Sequence, residues 1–558
     1  TLSGANTYTG TTTINAGDLT VSGSLHDSTA VTIASGADYN VNASDTVASI
    51  EGAGNIVIAS SQTLTAGDGN DKTLSGVISG AGNYIKAGSG TQTLSASNTY
   101  TGTTQVSAGT LTVSGSGRLS DSTAVTVDSG AVYNVAVSDT VASIAGAGSI
   151  TLGSNTLTSG GSDASTTFSG VISGTNGNII KAGTGTLTLT GNNSYTGSTT
   201  ISAGLLKIIR DDPTSYLAAT SGFTGPGNLT IESSGDDFTA DIVTGTHVQL
   251  AGTALGNLII GKTGNTRQID LSSDITTTGT QTYNGPVRLV GGDRTVSTTN
   301  SNVIFASTVN SDGTQRALTV TNGTGDTTFS GAIGGSAPVK SLTITSDQLT
   351  AGAITLNGAL TATLGGSSSI TGVIANGAST ANLVKAGSGT LTLSGANTYT
   401  GTTTINAGDL TVSGSLHDST AVTIASGADY NVNASDTVAS IEGAGNIVIA
   451  SSQTLTAGDG NDKTLSGVIS GAGNYIKAGS GTQTLTGNNS YTGSTTISAG
   501  LLKIIRDDPT SYLAATSGFT GPGNLTIESS GDDFTADIVT GTHVQLAGTA
   551  LGNLIIGK

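Results

Sequence analysis

The chain of 558 residues contains no cysteine, no methionine and no tryptophan, and it has only 6 prolines. The absence of cysteine excludes disulfides and thiolate metal sites. Few prolines beside 84 glycines exclude collagen and proline-rich linkers. No run of about 18 apolar residues occurs, so the sequence predicts no membrane-spanning helix.

Charge is scarce as well. Charged residues make up 10% of the chain, against about 25% in ordinary globular proteins. The net charge of −18 repels phosphate backbones. We therefore expect no nucleic-acid partner.

What the chain does contain is threonine, serine, glycine and small apolar residues in short alternating segments. Apolar–polar–apolar triplets such as Val31–Ile33 and Tyr39–Val41 recur every 8 to 15 residues, separated by glycine-containing turns. Two architectures accommodate many short strands, a string of β-sandwiches and a parallel β-helix. Asp-Gly, a hairpin signal, occurs only at 68–69, 312–313 and 459–460. The sequence thus predicts an all-β fold, a right-handed parallel β-helix (β-solenoid) built from tandem repeats.

Long internal copies define the organisation of the chain. Residues 1–94 recur unchanged as 392–485, and residues 188–262 recur unchanged as 484–558. Such copies indicate an array lengthened by recombination, in which stacked modules matter more than a unique pocket. The predicted modules are 1–94, its diverged copy 95–187, a further module 188–262, a distinct segment 263–391, and the copies 392–485 and 484–558. Because both copies break off in mid-pattern, we expect the chain to be part of a longer protein.

One motif is more specific than the composition. The core Tyr-Thr-Gly-x-Thr-Thr, or a close variant of it, occurs at 8–13, 100–104, 195–200, 399–404 and 491–496. With its surroundings at 167–206, this motif resembles the passenger-associated transport repeat of bacterial autotransporters, also called the autotransporter-associated β-strand repeat. Residues 263–362 resemble repeats of large haemagglutinin-like bacterial exoproteins and adhesins. The resemblance implies a right-handed β-helical passenger on the cell surface.

The residues of the motif suit such a coil. We expect Phe168, Leu187 and Leu189 to point inward as stacked apolar ladders. The glycines at 183, 185, 191 and 197 are expected to supply positive φ angles at sharp corners. Asn192 or Asn193 is expected to form an amide ladder or to bond the turn backbone. The tyrosines of Tyr-Thr-Gly either form an aromatic row or, as the more common role, pack in the corners.

A metal site is one candidate for chemistry. Residues 66–76, copied at 457–467, are similar to the calcium-binding nonapeptide. The calcium candidates are Asp68, Asp71, Asp459 and Asp462. Calcium would need oxygens from consecutive stacked copies, whereas this segment occurs once per module. The sequence therefore favours a polar turn, and we expect no cofactor and no metal, with calcium as the alternative.

Catalytic residues are the other candidate. Arg210–Asp212 and Ser234–Asp241 bring carboxylates together, as polysaccharide-cleaving β-helix enzymes do. The segment His26–Ser28 supplies the residue types of a nucleophilic triad. The four histidines are two pairs of copies, His26 with His417 and His247 with His543. Solvated turns are the simpler interpretation of all these groups, and we expect no catalytic residue.

These patterns predict the stalk, fibre or adhesin segment of a large secreted bacterial surface protein, which attaches by repeated weak contacts. Its expected location is extracellular, at the bacterial cell surface, either attached to the outer membrane or secreted. The expected partners are a host or neighbouring-cell surface, glycans or the chain itself, as in a biofilm. Two alternatives remain open, a polysaccharide-degrading β-helix enzyme and a self-assembling extracellular filament or sheath subunit.

Overall fold

The alternating segments form short strands in the computed structural model, which describes residues 1–215, 222–250, 255–508, 518–541, 544–547 and 551–557. The first two modules hold the following strands: Thr12–Ile14, Gly17–Val21, Ala30–Ile33, Ala37–Val41, Asp45–Val47, Ser49–Gly52, Asn55–Ile58, Thr63–Ala66, Lys72–Leu74, Ile78–Gly80, Asn83–Lys86, Thr91–Leu94, Thr104–Val106, Thr110–Val113, Ala124–Val127, Val132–Val135, Asp139–Val141, Ser143–Gly146, Ser149–Thr151, Thr156–Ser159, Thr166–Phe168, Val171–Ser173, Asn178–Lys181 and Thr186–Leu189.

The middle of the chain continues with strands of the same kind, interrupted by one 3-10 turn at Pro213–Ser215. They are Thr199–Ile201, Leu205–Ile209, Phe223–Thr224, Asn228–Glu232, Ile242–Val243, Leu258–Ile260, Ile269–Leu271, Ile275–Thr277, Gln281–Tyr283, Val287–Leu289, Arg294–Thr298, Val303–Phe305, Val309–Ser311, Leu318–Thr321, Thr327–Phe329, Leu342–Ser346, Leu349–Ala351, Ile354–Leu356, Ala359–Leu364, Ser368–Ile370, Ile374–Asn376, Asn382–Ala386 and Thr390–Leu393.

The last segment repeats the strand pattern of the first and third modules. Its strands are Thr403–Ile405, Gly408–Val412, Ala421–Ile424, Ala428–Val432, Asp436–Val438, Ser440–Gly443, Asn446–Ile449, Thr454–Ala457, Lys463–Leu465, Ile469–Gly471, Asn474–Lys477, Thr482–Leu485, Thr495–Ile497, Leu501–Ile505, Phe519–Thr520, Asn524–Glu528 and Leu554–Ile556.

Strands stack in parallel from one coil to the next. Thr12–Ile14 pairs with residues 31–33, and these pair in turn with residues 50–52, so each coil lies directly on the coil before it. Every strand pairing among the described residues is parallel. The strands stack as turns of β-solenoid, about 25 in all, which confirms the predicted all-β fold and excludes the β-sandwich alternative. Since parallel crossovers are right-handed in nearly all proteins, we expect a right-handed coil.

The chain forms two compact units, each of them a β-solenoid. The first comprises residues 1–269 and 276–279, and the second comprises 270–275 and 280–558. Many coils in both units carry three successive strands, which define three faces, whereas the coil at 91–109 carries two. The module boundaries inferred from the sequence copies stay predictions.

The core consists of the inward-facing residues of these strands. Val31 and its counterpart Val125 are at most 1% exposed, and Phe168 stacks on Leu189 in the next coil with both side chains inaccessible to solvent. Leu187 lies on the same inner side and is 2% exposed. The predicted apolar ladders are therefore confirmed.

The expectation for the motif glycines was only partly correct. Gly183 has a φ of 66°, as predicted, but Gly185, Gly191 and Gly197 do not have positive φ. They are needed for a different reason, because successive coils approach closely at the corners. A Cβ atom on Gly191 would lie 1.6 Å from the carbonyl oxygen of Gly170, which no side chain tolerates.

Candidate functional site

The repeated motif forms a corner that is closed by a tyrosine–threonine hydrogen bond. The Tyr100 hydroxyl lies 2.5 Å from the Thr104 hydroxyl, and Tyr100 is inaccessible to solvent. The same bond occurs at Tyr8–Thr12, Tyr195–Thr199, Tyr399–Thr403 and Tyr491–Thr495. The tyrosine of the motif thus serves corner packing, and four of its five copies are buried.

A buried lysine completes the corner. The Lys181 Nζ donates hydrogen bonds to the carbonyl oxygens of Ala182, Gly183 and Ala203, the last of which lies in the following coil. Burial lowers the pKa of the lysine in every copy, and it lowers that of Lys385 to about 8. The other copies are Lys86, Lys385 and Lys477. The three hydrogen bonds from this amino group to three carbonyl oxygens stabilise the corner.

A buried asparagine bonds to the preceding coil. The Asn193 Oδ1 accepts a hydrogen bond from the Ile172 N–H at 2.7 Å, and its Nδ2 donates to the Gly191 carbonyl. Asn193 is 2% exposed, which confirms its predicted bond to the turn backbone. Asn192 has another role, because its Oδ1 accepts a hydrogen bond from the Arg210 guanidinium.

A buried aspartate lies outside the motif. Asp139 is 3% exposed and accepts hydrogen bonds from the Tyr133 hydroxyl and from the Leu119 N–H of the preceding coil. Burial raises the pKa of this carboxyl to about 6. Asp45 with Tyr39 and Asp436 with Tyr430 form the same pair. The Asp–Tyr pair therefore anchors a loop across two coils.

The lysine and the buried aspartate were not among the candidate functional residues inferred from the sequence. A signal existed for both, since Lys-Ala-Gly recurs at 86–88, 181–183, 385–387 and 477–479, and Ser-Asp-Thr-Val recurs at 44–47, 138–141 and 435–438. Charged side chains are rarely fully buried, however, and recurrence alone does not distinguish a buried charge from a solvated one.

The calcium candidates use their oxygens within the protein. Asp68 accepts hydrogen bonds from both the backbone N–H and the side-chain amide of Asn70. Asp71 accepts the Thr91 N–H of the following coil at 2.7 Å, and this bond lowers the pKa of its carboxyl. The copies Asp459 and Asp462 repeat these contacts. Among the described residues, no three His, Asp or Glu side chains are grouped as metal ligands.

Among the carboxylates at 210–212 and 234–241, Asp211 and Asp237 connect coils. Asp211 accepts the Ser234 N–H at 2.7 Å and the Ser234 hydroxyl at 2.9 Å. Asp237 accepts the backbone N–H and the hydroxyl of Thr266. These bonds lower the pKa of both carboxyls, so neither is held protonated as a general acid. The carboxyl of Asp139, whose pKa burial raises, lies in the interior of its coil.

The histidines lie in turns. The His26 Nδ1 lies 2.8 Å from the Ser28 hydroxyl and also accepts the Ser28 N–H, and His417 makes the same contacts with Ser419. The His247 Nδ1 accepts the Val243 N–H. His543 lies outside the described residues. The ring nitrogen of His26 is thus engaged by its own turn.

The outer surface carries rows of threonine. On one face of the second unit, strands 294–298, 318–321, 342–346 and 359–364 lie in register, so that outward side chains form two parallel rows. We name these rows the threonine columns. They consist of Thr295, Thr319, Thr343 and Thr361 in one row, and of Ser297, Thr321, Thr345 and Thr363 in the other.

The threonine columns are uncharged, partly exposed and regular. Their residues alternate along each strand with fully buried ones such as Val320 and Ile344. Rungs are about 4.8 Å apart, the spacing of neighbouring strands. Within the described chain, the hydroxyls of Thr319, Thr321 and Thr343 make no hydrogen bond. The arrangement offers repeated identical contacts rather than an enclosed pocket.

Comparisons with known proteins identify the repeated corner. The passenger-associated transport repeat family matches residues 1–21, 85–113, 179–208, 383–412 and 476–504. The chain is also similar to the adhesin BmaC autotransporter of Brucella suis biovar 1 (strain 1330), with 34% identity over 146 residues. That match covers 24% of this chain and 4% of the relative, so the chain spans a small part of its length. No solved structure matches the chain.

No helix long and apolar enough to cross a membrane is found in the described residues. The five matched segments each contain the buried lysine or the tyrosine–threonine bond described above. The chain therefore carries the repeats of an autotransporter passenger and is similar to an autotransporter adhesin over about a quarter of its length.

Proposed function

We propose that this chain is a non-enzymatic segment of an adhesin, located at the cell surface or secreted, which attaches through many weak contacts along the outer faces of its solenoid. The passenger repeats and the likeness to an adhesin support an adhesin-like passenger segment. The partners we propose are glycans or other repeating hydroxylated groups on a neighbouring surface.

The threonine columns are the observation that carries this proposal. One hydroxyl contact contributes about 1 kcal/mol or less to binding, because it replaces a contact with water. A partner that repeats along the solenoid axis would meet several rungs together, and linked weak contacts then add through avidity. Attachment should therefore depend on the number of intact rungs and not on any one residue.

Charge replacement in the threonine columns tests this mechanism. We expect Thr319→Glu, then Thr319→Glu with Thr343→Glu, to lower the attached fraction of protein-coated beads stepwise on glycan-bearing surfaces. The matched controls are Thr319→Ser and Thr343→Ser, which keep the hydroxyl groups and should keep attachment. Circular dichroism verifies that each variant is folded. Complete loss of attachment from the first replacement would identify a unique site and overturn the proposal.

The absence of enzymatic activity and of a metal requirement are separate proposals. The inter-coil bonds of Asp211 and Asp237 support a structural role for those carboxylates. Incubation with a panel of polysaccharides should release no reducing ends and no unsaturated products. Attachment and melting temperature should be equal in calcium and in EDTA. Product release, or a melting temperature raised by calcium, would contradict the respective proposal.

A further inference from the structure

The three repeats of the first unit lie on three different faces of the solenoid. The threonine strand of the motif is Thr12–Ile14 in the first repeat, Thr104–Val106 in the second and Thr199–Ile201 in the third. Each of these strands belongs to a different stack of parallel strands. The same sequence is thus presented toward a different side in each repeat.

The length of the repeat explains this rotation. Five stacking steps lead from Thr12–Ile14 along one face to Thr110–Val113. The counterpart of Thr13 is not Thr112 on that face but Gln105, seven residues earlier and on the face that precedes it in the coil. One repeat is therefore shorter than five full coils by one face of the coil.

The second unit repeats the same step. Thr403–Ile405 lies in the stack that continues to residues 422–424, whereas the next copy, Thr495–Ile497, pairs with residues 475–477 in another stack. The strand Leu501–Ile505, which follows this copy, returns to the stack of the first. Each repeat is again turned by one face relative to the one before.

The chain contains a natural junction between two copied segments that shows the effect of removing one repeat. Residues 392–558 join the copy of 1–94 directly to the copy of 190–262, because the two offsets, 391 and 296, differ by 95 residues. Thr484 corresponds to both Thr93 and Thr188. It pairs with Lys503, the copy of Lys207, so the rungs remain in register across the junction.

We infer that the number of repeats sets the direction in which the solenoid presents its surface, since gain or loss of one repeat turns every later coil of that solenoid by about a third of a turn. In the first unit Lys207 shares its face with Ile85, through the stack of strands that contains Thr188. Loss of residues 95–189 moves Lys207 to the face of Thr93.

This geometry limits which partners meet equivalent residues. A flat surface on one side meets a given repeat sequence once in every three repeats. Neighbours on three sides, such as adjacent fibres or a surrounding polymer, meet every copy. Recombination of whole repeats therefore changes both the length of the array and the side on which later residues are displayed.

Disulfide mapping in the full chain tests the inference, and the natural absence of cysteine keeps the background clean. Neighbouring parallel strands are about 4.8 Å apart, within the range that a disulfide spans. In the undeleted chain, we expect the cysteine pair Thr188→Cys with Lys207→Cys to form a disulfide and the pair Thr93→Cys with Lys207→Cys to form none.

In the chain that lacks residues 95–189, we expect Thr93→Cys with Lys207→Cys to become disulfide-bonded, as does Ile85→Cys with Thr200→Cys. The natural counterparts of these pairs, Thr484 with Lys503 and Ile476 with Thr496, are direct neighbours and serve as positive controls. A disulfide between Ile85→Cys and Lys207→Cys in the shortened chain would mean that the coil re-registers without turning, and it would overturn the inference.

The readout does not depend on attachment. Disulfide yields from non-reducing gels report only which strands are neighbours, so failure of the rotation and failure of the proposed adhesive function are distinguishable. Absence of all the expected disulfides in the shortened chain, with the positive controls intact, would likewise contradict the inference.

Discussion

The motif-bearing coils and the coils between residues 280 and 370 differ in what their interiors contain. The motif-bearing coils bury charge, as at Lys86 and Lys181. The segment 280–370 buries no charged residue, and its interior instead contains a stack of three rings. Tyr283 and Phe305 lie 5.1 Å apart between ring centroids, and Phe305 and Phe329 lie 4.8 Å apart.

The difference shows that the stacking of coils can be stabilised by apolar contacts in the interior or by hydrogen bonds at the corners. Stacked rings stabilise the fold by burying apolar surface, an effect that does not depend on orientation. The Lys181 side chain, in contrast, bonds to three particular carbonyl groups. Identical corners recur where the sequence is copied. Directional bonds then keep each copied coil in one register on its neighbour.

The largest effect is expected at the ring stack. Phe305→Ala should lower the opening free energy of strands 281–283 and 327–329 by about 4 kcal/mol, because it creates a cavity between two rings. Hydrogen–deuterium exchange of these strands measures the change. Phe305→Leu, which fills most of the volume, is the control and should cost less than half as much. Equal losses would mean that ring stacking and not volume holds this segment.

Removal of a corner lysine is the matching change in a motif-bearing coil. Lys181→Met should lower the opening free energy of the neighbouring coils by about 3 kcal/mol, since buried carbonyl groups lose their donor. Lys340→Met is the control, because the Lys340 side chain is 56% exposed in its pair with Asp293 and should contribute at most about 1 kcal/mol. Hydrogen exchange at 179–201 and 342–346 compares the two. Similar losses would show that the buried corner lysine stabilises its coil no more than an exposed lysine does.

Because the aspartates are buried, we expect the local stability of the coils that contain them to depend on pH. The pKa of Asp139 is raised to about 6 by burial, so its favourable contribution is complete below the unfolded value and is lost as the pH rises through about 6. We expect the local stability of this coil to fall by about 2 kcal/mol from pH 4 to pH 7. Asp139→Asn should remove that fall.

Asp71→Asn is the contrasting variant. The pKa of Asp71 is lowered by the Thr91 N–H bond, so its contribution is present above the unfolded value and is lost only as the pH decreases below it. Exchange rates measured from pH 3 to pH 7 separate the two signs. A wild-type coil whose stability rises between pH 4 and pH 7 would contradict the assignment of Asp139 as a buried, ionising carboxyl.

The smallest effect distinguishes two buried tyrosines. Tyr100→Phe removes the hydroxyl that bonds Thr104 and should cost about 1 kcal/mol. Tyr84→Phe should be neutral or stabilising, because the Tyr84 hydroxyl is buried without a partner in the described chain. Its counterparts, Ile179 and Leu383, are apolar. Thermal melting of the two variants provides the measurement, and a clear loss at Tyr84 would reveal a bond that the structure does not contain.

Much of the fold follows from the sequence because the strand period of two is local. Val31 and Phe168 point inward, as their alternation predicts. The candidate site was less predictable. The sequence indicated the turn role of Asn193, but it indicated neither the burial of Lys181 nor the Asp139–Tyr133 pair, because each depends on a residue or a backbone group some distance away along the chain.

By itself, the sequence determined the strand pattern, the presence of the copied segments and the likeness to passenger repeats. Only the tertiary structure decided which face each copy occupies, which carboxylates join coils, and why Gly191 must be glycine. The physical reason is that alternation and repetition are properties of neighbouring residues, whereas face and coil contact depend on the accumulated length of every preceding turn. Nothing in the sequence of one repeat indicates that it is one face shorter than five coils. The rotation between repeats is visible only once the coils are stacked.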